Sequence, residues 1–127
     1  MSSRRSIFRY RLMCSLQALA LPAENELSLY SEFVCKTDEL ALDFDAWLPC
    51  FRVHPMELTD HQIDLLESIA LELGGMSGRD HTDLWTEEAL RTNSRWEKVR
   101  RMSKEALAAF GWKLEPPPSD RDVYIRG

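Results

Sequence analysis

Residues 58–75 read LTDHQIDLLESIALELGG, and this run decides the fold class. Thr59 with Gln62 three residues later is a capping-box pattern, in which two side chains meet backbone N–H groups that a helix start leaves unpaired. Leu58 and Ile63 flank it as a hydrophobic staple. Within the run, Ile63, Leu66, Ile69, Ala70 and Leu73 fall at helical intervals and line one face. Gly74 or Gly75 then supplies the stop. Start, stripe and stop agree, so the segment reads as a helix with one buried face.

The same period extends in both directions. Upstream, Leu12, Leu16 and Leu19 give a first helix over roughly 6–21, closed by Pro22. A second, over roughly 24–35, places Leu27, Tyr30, Phe33 and Val34 together. Thr37 or Asp38 is the expected cap of a third, whose Leu40, Phe44, Trp47, Leu48 and Phe51 stay in helical register until Pro49 ends or kinks it near Leu48. Downstream, residues 83–91 read as a short helix. Ser94 with Glu97 is the expected capping box of a last helix over roughly 95–110, with Trp96, Val99, Ser103, Ala106, Leu107 and Phe110 as its stripe. Gly111 stops it and lets Trp112 fold back on the last turn. The expected fold is all-α, a single compact bundle of five or six short helices in residues 1–112. Residues 113–127 form an extended tail, because Pro116, Pro117 and Pro118 forbid helix there, with Val123, Tyr124 and Ile125 as its apolar anchor.

A chain of 127 residues, 44% hydrophobic and 29% charged, has the material for one core and is not disordered by composition. No apolar stretch approaches the ~18 residues of a membrane span. The N-terminal RRSIFRYRLMCSLQALALPA has the outline of a secretory signal. Ser15 and Gln17 interrupt its apolar run, however, and its leucines keep helical spacing, so it is expected to stay as a core helix. Cys14, Cys35 and Cys50 lack metal-ligand spacing and leave one thiol over in any disulfide scheme, which favours reduced thiols in the cytoplasm.

The net charge of −5 is unevenly distributed. Arg4, Arg5, Arg9 and Arg11 make the start basic. Residues 24–67 hold eleven acids against Lys36 and Arg52, a local net of −9. Residues 95–104 return to basic, with five cations against Glu97. An acidic middle attracts a basic partner and repels nucleic acid. Its candidate contacts are Asp38, Asp43, Asp45, Glu57, Asp60 and Asp64, flanking the aromatic anchors Phe44 and Trp47 that are themselves expected in the core.

Two other chemistries are weighed against this. Arg95, Lys98 and Arg101, with Lys104 one position off the row and Arg100 on the same side, could grip phosphates, with Arg9 and Arg11 extending the patch. Asp60, His61 and Asp64 echo Asp80, His81 and Asp83, and the two clusters together could hold a metal or orient a histidine base. Capping and turn chemistry account for most of those residues, however, and GGMSGRDHTDLW (74–85) reads as a helix–helix loop. The sequence contains no nucleophile elbow, phosphate-binding loop or dinucleotide fingerprint. The expected function is therefore a non-catalytic protein-binding module without cofactor or metal. By analogy of size and charge alone, it would be an immunity or inhibitor protein neutralising a basic enzyme. The rival is a helical subunit of a nucleic-acid-handling complex.

Overall fold

Helix caps and a short 3₁₀ joint set the architecture. The computed structural model describes residues 3–30, 35–46 and 58–118. Among them the secondary structure is entirely helical. The elements are α1 (Ser3–Ala20), α2 (Ala23–Ser28), α3 (Lys36–Asp45), α4 (Asp60–Gly75), a 3₁₀ segment (Arg79–Trp85), α5 (Glu87–Thr92) and α6 (Ser94–Phe110). The expectations resting on Phe33, Val34, Trp47, Leu48, Cys50, Phe51, Glu57, Val123, Tyr124 and Ile125 lie outside the described residues.

The longest helices make the core. α6 packs along α1 on one side and α4 on the other, α3 lies on α1, and α2 and α5 close the remaining gaps. Leu12, Leu16 and Leu19 of α1 meet Leu40 and Phe44 of α3, Leu66, Ile69 and Leu73 of α4, and Trp96, Val99 and Leu107 of α6 in one cluster. α1 contributes more than the expected stripe. From Arg11 to Leu21 every side chain except the half-buried Met13 is buried, including Ser15 and Gln17. A helix enclosed on all sides has no polar face to define a stripe.

α4 begins as expected. Gln62 N donates to Thr59 Oγ1 at 3.1 Å, and Thr59 N donates to Gln62 Oε1 at 3.0 Å. α6 ends as expected. Gly111 adopts φ 71°, a left-handed conformation that favours glycine, and Trp112 N reaches back to the Leu107 carbonyl at 3.0 Å. Trp112 then stacks on Phe110, with ring centroids 4.3 Å apart. The Lys113 carbonyl accepts from Gln17 Nε2, and Pro117 is buried.

Several boundaries differ from the sequence reading, each for a local reason. α2 stops at Ser28 rather than near residue 35. α3 starts at Lys36 with Cys35 at its cap position. Thr37, expected as a cap, is instead buried, and its hydroxyl donates to the Trp85 carbonyl at 2.9 Å. The helix expected over 83–91 is broken at Thr86, which is extended (φ −114°, ψ 160°) and accepts from Ala89 N to cap α5. Asn93, not Ser94, caps α6 by accepting from Arg95 N at 2.9 Å. Asparagine ranks with the best capping residues, and here one extended residue both ends α5 and starts α6.

The expected loop 74–85 is half helical and fastened at two points. Gly78 turns the chain with φ 109°, which a residue with a side chain rarely adopts. The 3₁₀ segment follows, with Trp85 Nε1 donating to the Met76 carbonyl at 2.8 Å and Trp96 Nε1 donating to the Leu84 carbonyl at 2.6 Å. The two indoles meet edge to face with centroids 5.4 Å apart. Trp96 is completely buried, so the joint is pinned to the core.

Candidate functional site

Six carboxylates were singled out by charge, and their surroundings separate them. Asp38, Asp60 and Asp64 are exposed. Asp43 is committed within the chain, accepting from the Tyr30 hydroxyl at 2.7 Å. Asp45 is exposed and has an interaction of its own. Glu57 lies outside the described residues. Two further acids of the same segment are withdrawn from the surface field: Glu26 is fully buried against Arg100, and Glu24 pairs with Arg91, whose hydrogen bond holds the Glu24 carboxyl below its usual range.

Acids of α3 and α4 lie in two rows, whose members are all exposed but Glu67, which is half-buried and, like Asp45, has an interaction of its own. On α4, Asp60, Asp64, Glu67 and Leu71 follow one another at four, three and four residues, a line of about 16 Å along one face. On α3, Asp38, Leu42 and Asp45 repeat the pattern at four and three. Both rows mix carboxylates with a leucine in water: Leu42 is 58% exposed and Leu71 80%. Between the rows runs a groove of about 520 Å³ whose lining includes Ala41, Asp45, Glu67, Ala70, Leu71 and Trp85. Its floor is apolar and its rim acidic.

The sequence reading missed both leucines. Leu71 falls outside the stripe Ile63–Leu66–Ile69–Leu73, and a leucine left over on the polar side of a regular core stripe is the signal that could have found it.

The basic row of α6 is less free than its spacing suggests. Lys98 Nζ lies 3.0 Å from Glu72 Oε1, and Arg95 Nη2 lies 3.3 Å from Glu72 Oε2. The hydrogen bonds from Lys98 and Arg95 hold the largely buried Glu72 carboxyl below its ordinary range. Two of the three candidate phosphate contacts are thus engaged with α4, and Arg101 alone of the three stays exposed without an ion pair among the described residues. Arg100, expected on the same exposed side, turns inward to Glu26. Arg11 is buried, and Arg9 lies over the Phe110 and Trp112 rings at 5.9 and 5.8 Å, so neither extends the row in the expected way.

The two aspartate–histidine clusters stand apart. His61 is in the first turn of α4 and His81 in the 3₁₀ segment beyond its last, at opposite ends of a helix of about 24 Å. Trp85 is tied back to Met76, which keeps the second cluster at the C-terminal end. No group of three or more His, Cys, Asp or Glu among the described residues is placed to hold a metal ion. Nor is any described helix long and apolar enough to cross a membrane.

Compared with family models, with curated proteins and with solved structures, the chain matches none.

Proposed function

We propose that this protein is a non-catalytic binding module of the immunity or inhibitor type, which engages a basic protein through the face made by α3 and α4. One observation carries the reading: the row Asp60–Asp64–Glu67 ends at Leu71, 80% exposed on the lip of an apolar groove. An isolated exposed leucine is ordinary. One set beside an apolar groove and aligned carboxylates supplies what protein interfaces use, an apolar anchor for affinity and oriented charge for steering. A basic partner with an apolar residue among its cations is complementary to that arrangement. The reading places the protein in the cytoplasm, which three cysteines, an odd number that leaves one over in any disulfide scheme, favour.

The test begins with the protein purified from its source cells under gentle conditions. A single basic protein at one-to-one stoichiometry is expected. With that partner in hand, Asp60→Lys with Asp64→Lys should slow association at least tenfold and reduce its salt dependence, whereas Leu71→Ala should chiefly speed dissociation. Recovery of a ribonucleoprotein instead, or kinetics indifferent to both changes, would overturn the reading.

A further inference from the structure

Another side of α6 carries a second row, which shares Arg101 with the first. Glu97, Arg100, Arg101 and Lys104 fall at three, one and three residues, and together they face the junction of α1 and α2. Arg91 of α5 joins them. Ala20, Pro22 and Ala23 form the other wall, and the residues line an open pocket of about 550 Å³. Four cations and one carboxylate line the pocket, and with Glu24 on Arg91 and Glu26 on Arg100 the cations left without an ion pair among the described residues are Arg101 and Lys104.

Arg100 is the fixed member. Its side chain is only 14% exposed, and Nη1 donates to Glu26 Oε1 and to the Leu90 carbonyl, both at 3.0 Å. All its hydrogen bonds within the described residues are made by that one nitrogen, which leaves the rest of the guanidinium to a ligand. Arg101 and Lys104 are exposed and have no ion pair among the described residues. Arg91 is shared with Glu24 and, more distantly, Glu87.

We propose that this pocket binds a phosphate-bearing small molecule of nucleotide size, with Arg100 as its fixed floor and Arg101 and Lys104 closing on the phosphates from the rim. Three features set it apart from a solvated basic face. Like charges at neighbouring positions of one helix repel, so Arg100, Arg101 and Lys104 together cost stability unless an anion joins them. The carbonyl end of α1 offsets at most about half a charge. The buried counter-ion of Arg100 among the described residues, Glu26, is only half satisfied: Oε2 has no hydrogen-bond partner, and burial pushes the carboxyl up to about 8 against the pull of Arg100. At neutral pH it therefore compensates Arg100 incompletely, and positive charge is left over in the pocket.

The ligand class follows from shape and donors. Guanidinium groups match phosphate oxygens with paired N–H donors, and an ammonium adds a movable point charge. The volume lies within the ~300–1,000 Å³ of small-molecule sites. Pro22 and the half-buried Ala23 offer an apolar surface to the rest of the molecule, which a bare inorganic ion would not use.

The full chain is titrated with inorganic phosphate, pyrophosphate and ADP, followed by calorimetry and backbone amide shifts. ADP is expected to bind with Kd below about 1 mM and more tightly than pyrophosphate, with shifts centred on residues 20–23 and 97–104. Arg101→Ala with Lys104→Ala alters only exposed side chains. It should keep the melting temperature and weaken ADP binding at least tenfold. Arg95→Ala with Lys98→Ala, on the α4 side, should leave ADP binding within twofold. The proposal is overturned if none of the three probes binds at millimolar concentration, or if both double variants weaken binding alike. It is also overturned if a duplex oligonucleotide competes for Arg101 and Lys104 more tightly than ADP, since the site would then read nucleic-acid backbone.

Discussion

Two regions take polar groups out of water and treat them differently. At the joint between α4 and α6, the principal buried donors are matched: Trp96 Nε1 by the Leu84 carbonyl, Trp85 Nε1 by the Met76 carbonyl and the Thr37 hydroxyl by the Trp85 carbonyl. In the layer where α1 and α2 meet α6, satisfaction is partial. Gln17 uses its amide N–H on Lys113 but leaves Oε1 unmet, Glu26 leaves Oε2 unmet, and Ser103 Oγ has no partner. An unmet buried polar atom costs about 1–3 kcal/mol, so the second region is held by its apolar contacts despite its polar ones. Local rules of stability tend to be broken where function intrudes, and the half-satisfied layer borders the cationic pocket.

Of the substitutions, the largest effect should come from the joint. Trp96→Ala removes a completely buried indole, opens a cavity and orphans the Leu84 carbonyl. Denaturant unfolding should show a loss of about 3–5 kcal/mol, a large share of the ~5–15 kcal/mol typical of a small domain. Trp96→Phe keeps most of the volume and should lose about half as much. A loss below about 1.5 kcal/mol for the alanine variant would mean that the joint is not a fastening point, and the contrast between the regions would fail.

What the sequence disclosed follows the same division. The ends of α4 and α6 were legible because each is fixed by residues three to five positions apart: Thr59 with Gln62, and Trp112 with Leu107 across Gly111. The 3₁₀ joint looks like a loop in sequence because its shape depends on Trp85 and Trp96 donating to backbone nine and twelve residues away, which periodicity does not register. Thr86 is hard to see in sequence because it is a cap inside what looks like continuous helix, and Asn93 because Ser94 with Glu97 imitates a capping box one residue later. At the candidate site the charges were legible and their commitments were not. Lys98 and Arg95 looked free because Glu72 approaches from another helix, and Asp43 because Tyr30 is thirteen residues away. Leu71 as the lip of a groove required knowing that α3 lies opposite.

The second effect is a pH dependence confined to the half-satisfied layer. The folded-state pKa of Glu26 is raised from 4.5 to about 8 by burial, so the folded chain holds that proton more tightly than the unfolded chain. Stability from this group is complete below about pH 4.5, falls as pH rises, and levels off above about pH 8. The fall should be on the order of 5 kcal/mol, which already includes the opposing pull of Arg100. Glu26→Gln should flatten stability across that window. Glu72 acts in the opposite sense and in a different range: its pKa is lowered, so its contribution is lost only as pH drops below 4.5. Unfolding free energies at pH 5, 6.5 and 8 separate the two, and an unchanged slope in Glu26→Gln would refute the assignment.

The smallest effect is the sharpest test, because it compares two serines buried alike on facing helices. Ser15 and Ser103 are both enclosed, at 4% and 0% exposure. Ser15 Oγ donates to the Leu12 carbonyl at 2.9 Å, whereas Ser103 Oγ meets nothing. Alanine is nearly isosteric with serine and a better helix former by several tenths of a kcal/mol, so propensity favours both replacements equally. The difference between them then reports the hydroxyl. Ser103→Ala removes an unmet buried group and should stabilise the fold by about 1 kcal/mol, raising the melting temperature by about 3–5 °C. Ser15→Ala gives up a hydrogen bond of about 1 kcal/mol, which cancels the propensity gain and leaves stability near that of the parent. Should the order reverse, with Ser103→Ala the less stable variant, the hydroxyl of Ser103 would be matched in solution, and the layer between α1 and α6 would be as fully satisfied as the tryptophan joint.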